Sequence, residues 1–270
     1  DSGNLSKTAF LGFPFEAIPS AGNRKIVMDR FLNWCFPFRH KTFIPLVFRP
    51  AGFNSQFNGD ADGWVQHSGS WSYNDNYLFT QGLDWSWSTV SYTEDFSNFD
   101  YEVKMMRSNG TEDPPNTILV RGTPTPLASD NIWNSGYLFQ YTIDGRYSIW
   151  KVFPDGSSTA LQFWTSSSAI NTGRAWNTLR VIANGSNFYF YINGTLVWSG
   201  TDSTYSSGRV GIGMYLPHLG DEDFYVDWAT LSTAIPSIDI TDTVSLEQQN
   251  LNDEANKVPS TNMESSEIKP

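Results

Sequence analysis

Residues 175–200, AWNTLRVIANGSNFYFYINGTLVWSG, constrain the fold more than any other stretch of the chain. Leu179, Val181 and Ala183 alternate with polar neighbours, and Asn184-Gly185 then supplies the positive φ that a tight hairpin demands. Phe188, Phe190 and Ile192 alternate with Tyr189 and Tyr191. A second turn follows at Asn193-Gly194, after which Leu196 and Trp198 resume the strand. A two-residue period interrupted by Asn-Gly pairs is the pattern of an antiparallel meander.

The same period runs on both sides of it. A hairpin is expected where Trp71–Tyr73 and Tyr77–Phe79 flank Asn74-Asp75-Asn76. Strands follow at Ser88–Tyr92, Phe99–Arg107 and Thr117–Arg121, with Tyr101, Val103 and Met105 on one face. Gly136–Val152 reads as another hairpin, turning at Asp144-Gly145. Thr159–Thr165, Arg209–Tyr215 and Phe224–Leu231 complete the set. Short strands at this spacing predict an all-β antiparallel two-sheet jelly-roll sandwich over residues 53–234. The 11 Trp, 12 Tyr and 19 Phe suit that architecture, since large flat rings fill the space between sheets.

The ends differ from this body. In residues 1–35, TAFLGFPFEAI reads as a short strand, and 23–34 shows helical spacing through Ile26, Val27, Arg30 and Phe31. Residues 36–52 are a linker kept extended by Pro37, Pro45 and Pro50. From 235 to 270 aromatics vanish and Ser, Thr, Asn, Asp and Glu dominate, which predicts an acidic, extended or disordered tail. A first residue other than Met is read as the start of a processed or excised piece.

The net charge of −11 is uneven: +4 over residues 1–52, −10 over 53–234 and −5 over 235–270. An acidic body repels nucleic acid and anionic lipid, which leaves neutral glycans or cations as partners. No 18-residue apolar run exists to insert into a membrane. Cys35 stands alone, so no intrachain disulfide framework forms. His40, His67 and His218 show no zinc-ligand spacing. Asn4, Asn109, Asn184 and Asn193 sit in Asn-x-Ser/Thr contexts, of which the last two read as turn chemistry.

Taken in order, FNGDADGW, GSWSYNDNYL, DFSNFDYEVKM, ILVRGTP, SGYLFQYTIDGRYSIWKV, the meander, GRVGIGM and FYVDWATL resemble the concanavalin A-like lectin/glucanase superfamily, in its laminin G-like and bacterial carbohydrate-binding forms. The resemblance covers about residues 53–232. The GFPFE strand end and Arg-containing helix of residues 1–35 resemble the close of a flavodoxin-like or amidotransferase-like domain of secreted multidomain proteins. Glycosidases of the superfamily carry a Glu-x-Asp-x-(x)-Glu run, which this sequence lacks. The nearest acidic cluster, Asp221-Glu222-Asp223, reads as a solvated loop, so no catalytic residues are assigned. The resemblance implies a structural Ca2+ held by Asp227 of the FYVDW strand, with Asp60 and Asp62 in a loop facing it. The alternative for Asp227 is hydrogen bonding to a turn.

For glycan binding, Trp85 and Trp87 alternate with serines in WSWS, which on a strand places both indoles on one face. Arg121, in LVRG, resembles a ligand-facing arginine of relatives, and Tyr137 and Trp150 lie on the neighbouring hairpin. An arginine fork with ring faces is suited to sugar hydroxyls. The expected function is a non-catalytic, extracellular or cell-surface lectin-like module that binds a glycan or polysaccharide or attaches to a surface. Two other readings stand beside it. One is a structural subunit of a filament, self-associating through residues 1–50 and 235–270. The other is a divergent glycosidase or the accessory C-terminal piece of a secreted hydrolase.

Overall fold

The computed structural model describes residues 24–28, 30, 52–74, 76–108, 114–220 and 222–236. The chain divides into two units, Asp1–Ala51 and Gly52–Pro270. In the first, residues 24–28 and 30 are helical, within the span where the spacing predicts a helix. The strand expected before that helix, Cys35, His40, the linker up to Ala51 and the tail beyond Pro236 lie outside the described residues, and with them most of the proposed assembly arms. No helix among the described residues is long and apolar enough to cross a membrane.

The second unit is built from β1 (Gly52–Ser55), β2 (Trp64–Ser68), β3 (Ser72–Asn74), β4 (Tyr77–Thr80), β5 (Ser86–Phe96), β6 (Phe99–Arg107), β7 (Asn116–Thr123), β8 (Ser135–Tyr141), β9 (Arg146–Val152), β10 (Ser158–Ser166), β11 (Asn177–Asn184), β12 (Asn187–Ile192), β13 (Thr195–Thr201), β14 (Gly208–Leu216) and β15 (Phe224–Ser232). One sheet runs β13-β12-β11-β6-β15-β4-β3, with β1 added against β15; the other runs β10-β9-β8-β7-β14-β5-β2. This is the two-sheet jelly roll that the strand spacing predicts.

The meander forms β11, β12 and β13, but its two turns differ. Ile192 pairs with Thr195, so Asn193 and Gly194 are the central residues, both with positive φ (49° and 80°). At the first turn Asn184 pairs with Asn187, so the central residues are Gly185-Ser186, one step later than the Asn-Gly pattern implies. Only Gly185 takes a positive φ there (59°), as a turn with glycine at its first central position requires.

β1 and β2, which flank the acidic loop, go beyond the sequence expectation. β1 seats so closely on β15 that a Cβ at Gly52 would lie 1.8 Å from the Leu231 carbonyl oxygen, and Gly52 has a φ of 114°. Only glycine permits this entry into the sheet.

The main core lies between the sheets. On β6, Phe99, Tyr101, Val103 and Met105 point inward, and they meet Ile118, Val120, Phe139, Tyr141, Ile149 and Ile212 of the other sheet. β7 and β8 depart from simple alternation, being buried on both faces except at Thr123. Something therefore covers the outer face of the second sheet, and that cover builds the site.

Candidate functional site

A second, smaller apolar cluster of Trp87, Leu119, Ile132, Trp133 and Leu138 sits on that outer face, with Leu127 and Ala128 packed against it. The segment following β7 folds back over its own sheet to make it. Trp133 lies close over two glycines, where a Cβ on Gly122 or on Gly211 would come within 2.4 Å of its ring. Ser86 Oγ and Trp87 N–H both donate to the Asp130 carbonyl (2.8 and 2.9 Å), and Asn131 Nδ2 donates to Ser86 Oγ (2.7 Å).

Beside this wall runs a cleft of about 710 Å³. Pro126–Asp130, Ile132 and Asn134 line it from the covering segment, Trp87 from β5, and Pro115 from just before β7. Leu138 and Gln140 of β8, Trp150 and Val152 of β9, and Trp164 of β10 continue it, and the Phe153–Gly156 turn closes the far wall. Trp150 Nε1 donates to Ser148 Oγ (3.0 Å), which donates to Gln140 Oε1 (3.1 Å). That relay fixes the Gln140 amide and leaves its NH2 as the donor presented to the cleft. Asp130 and Asp155 are the cleft's ionisable residues. The Ser157 hydroxyl and amide both donate to Asp155 Oδ1 (2.6 and 2.9 Å) and hold its carboxyl below the usual range.

The structure brings Trp87 and Trp150 together in this cleft. Trp85 lies just before β5 rather than on it, with a φ of 55° and 60% exposure, so the two indoles of WSWS do not share a strand face. Arg121 and Tyr137 are corrections. At Arg121 a φ of 48° within a bulge between Val120 and Thr123 turns the side chain inward. Its guanidinium lies 4.8 Å from the Phe188 ring and donates to the Ser97 and Tyr205 carbonyls. Tyr137 shares the inward face of β8 with Phe139 and Tyr141. Its hydroxyl donates to Asp202 Oδ1 (2.6 Å), whose other oxygen accepts from Lys151 (2.6 Å). Burial works against the Asp202 charge, but donations from Lys151, Tyr137 and Thr204 outweigh it and hold the carboxyl well below its ordinary value. Both residues fasten the two sheets and do not face a ligand.

The calcium ligands are not gathered either. Asp227 accepts from Lys104 Nζ at 2.8 Å, a cation where a second one would have to bind. Asp60 accepts locally from the Asp62 amide at 3.4 Å, and among the described residues no group of three or more His, Cys, Asp or Glu side chains could hold a metal.

The acidic cluster holds the largest departure. Asp221 lies outside the described residues, and Asp223 accepts from Gln81. Glu222, expected in solvent, is fully buried. It is ion-paired with the equally buried Arg107, which ends the inward row of β6 and also donates to Asn116 and to the Pro115 and Tyr215 carbonyls. Burial lowers the Arg107 pKa and the Glu222 charge opposes this. On the open side, His218 Nε2 lies 2.6 Å from Glu222 Oε1 and Nδ1 3.1 Å from the Leu219 carbonyl. Both ring nitrogens face acceptors, so only the imidazolium makes both bonds. The Leu219 carbonyl and then Glu222 raise the His218 pKa. This stabilisation is present in full below the unfolded value and is lost as pH rises through the raised folded one. Melts of wild type and His218→Gln between pH 5.5 and 8.5 are therefore expected to differ most at the acid end and to converge as pH rises. A constant difference would mean that the proton has no part.

Gln140 and Trp164, which line the cleft, and Trp133, which is buried behind its wall, are residues that sequence reasoning missed. Gln140 left a trace as a polar residue in the apolar run SGYLFQY; Trp164 stands among residues with a clean strand pattern only on paper, since β10 carries two register breaks against β9.

A search of curated proteins by sequence finds no match. Solved structures do match. A Bacillus licheniformis beta-glucanase superposes with a TM-score of 0.54 at 11% identity, over 68% of this chain and 99% of that one. A beta-1,3-1,4-glucanase (lichenase) derived from a mouse hindgut metagenome gives 0.51 at 11% identity, over 68% and 99%. The carbohydrate-binding module CBM66 from Bacillus subtilis gives 0.50 at 19% identity, over 63% and 95%. The fold is thus the concanavalin A-like jelly roll that the strand motifs resemble. Within it, a family model described as the 3-keto-alpha-glucoside-1,2-lyase-like domain matches residues 52–215, from β1 to the end of the sheet bearing the cleft, and the chain belongs to that family.

Proposed function

We propose that the outer-face cleft binds a neutral glycan, as a lectin-like module that works at the cell surface or outside the cell. The observation that carries this is the composition of the cleft: indoles of Trp87, Trp150 and Trp164, one oriented amide and no cationic side chain. Apolar sugar faces stack on such rings, and hydroxyls pair with the Gln140 NH2 and the Asp130 and Asp155 oxygens. Arg146, whose guanidinium lies 5.8 Å from the Trp164 ring, is already paired with Asp144, so uronic or sulfated sugars would meet the carboxylates of the lining. Cleavage of an ordinary glycosidic bond needs a carboxylic acid of raised pKa to protonate the leaving oxygen. Asp155 is shifted the other way and stays a carboxylate.

The test is electrophoresis through gels containing mixed-linkage β-glucan, starch, mannan or galactan. At least one gel is expected to retard the protein, and Trp150→Ala to weaken the effect at least tenfold, a loss of about 1.4 kcal/mol. No retardation in any gel would sink the proposal.

The family match favours one other reading. In a 3-keto glucoside the ketone acidifies the C2–H bond, and loss of that proton with departure of the C1 substituent is a 1,2-elimination. The Asp155 carboxylate is a group able to take the proton. Release of nitrophenol from a p-nitrophenyl 3-keto-α-glucoside, abolished in Asp155→Asn, would establish the enzymatic reading over simple binding.

A further inference from the structure

Two exposed rings adjoin the cleft lining in the chain, Phe163 beside Trp164 on β10 and Trp85 two residues before Trp87 of β5. On the β10 side Phe163 is 70% exposed. Its ring stands 5.7 Å from that of Trp150, nearly perpendicular to it, so it continues the cleft wall outward. β10 is an edge strand with register breaks on either side of Gln162, and Thr165 Oγ1 and Gln162 Nε2 both donate to the Phe163 carbonyl (2.9 and 3.2 Å). Bulges of this kind re-aim side chains at the margins of sites. On the β5 side Trp85 projects two residues before the cleft residue Trp87, held in a left-handed conformation that bulky residues adopt rarely. The backbone around it is pinned by a bridge from Leu83 to Ser86, a bridge from Asp84 to Leu216, and the Gly220 amide on Asp84 Oδ1. An exposed indole on a backbone held in a disfavoured conformation points to a contact made outside the chain.

We propose that Trp85 and Phe163 are outer subsites of the same cleft, and that the ligand is the interior of a neutral polysaccharide chain running out past both sides. This rests on the glycan-binding reading above. From β5 to β10 there are five strand-to-strand steps, about 24 Å at ~4.8 Å each, room for several pyranose rings in a row.

The experiment is titration calorimetry of wild type, Phe163→Ala and Trp85→Ala with sized oligomers, from disaccharide to hexasaccharide, prepared from whichever of the four gel polysaccharides retards the protein. Affinity of the wild type is expected to rise with length. Each variant is expected to bind the hexamer about five- to tenfold more weakly and the disaccharide unchanged, with unaltered melting temperature because both side chains are exposed. Length-independent affinity, or hexamer binding unaffected in both variants, overturns this inference while leaving the central cleft intact. Retardation by no polysaccharide overturns the parent reading and this one together.

Discussion

Replacing Glu222 with alanine is expected to destabilise the jelly roll by about 3–5 kcal/mol, the loss that follows when one partner of a buried ion pair is removed. Arg107 would keep its bonds to Asn116 and to the Pro115 and Tyr215 carbonyls, yet its charge would sit at zero exposure without a counter-charge. For a domain of this size that corresponds to a fall of about 10 °C or more in melting temperature. The complementary double variant Arg107→Met, Glu222→Met removes both charges and is expected to recover much of the loss, since two apolar groups of similar length need no partner. Thermal melts of the three proteins decide it. If Glu222→Ala melts within 2 °C of wild type, the pair is not the buried structural link described above.

Trp133→Ala is expected to have an effect of comparable size, about 3–5 kcal/mol, for a different reason. The indole is almost wholly buried and fills the space over Gly122 and Gly211, so its removal leaves a cavity that the rigid glycine backbone cannot collapse into. Trp133→Phe should be far milder. Among the described residues its Nε1 has no hydrogen-bond partner, so exchanging indole for phenyl removes an unsatisfied donor as well as some packing. The alanine variant should also lose glycan retardation, because Ile132 and Asn134 on either side of it line the cleft. Urea denaturation for the first effect and the polysaccharide gels for the second separate them. Full binding by a correctly folded Trp133→Ala protein would show that the covering segment does not shape the cleft.

The strands were readable because their side chains obey a local rule. β6 spans Phe99–Arg107 as its alternation implies, and the meander needed only its first turn moved by one residue. The site was less readable, because each of its features depends on contacts between distant positions. Arg121 follows two inward residues on an apparently regular strand, and nothing in LVRG announces the bulge that turns it to Phe188. Tyr137 alternates as expected, but alternation does not say which face is the core, and its face proved to be the inner one. Glu222 looks like one of three consecutive loop acids until Arg107, 115 positions earlier, is brought against it. Trp87 was singled out by the alternation of WSWS and Trp150 by its place on the neighbouring hairpin, and the structure puts both in the lining of one cleft. That cleft exists because the segment after β7 folds over its own sheet, which no local pattern announces.

That segment has a bearing on how such a site can diverge. One bank of the cleft, around Asp130–Trp133, is bonded into β5 and pressed onto Gly122 of β7 and Gly211 of β14, so it takes part in holding the sheet together. The opposite bank, Pro154–Gly156, is an exposed hairpin turn whose residues are bonded chiefly to one another. Changes of ligand preference should accumulate on the turn, where length and composition can drift at little cost to folding. The covering segment is bound by the same contacts that keep the protein folded. A library confined to residues 153–157 would therefore yield mostly folded proteins with altered preferences, whereas the same diversity placed at 130–133 would yield mostly unfolded ones.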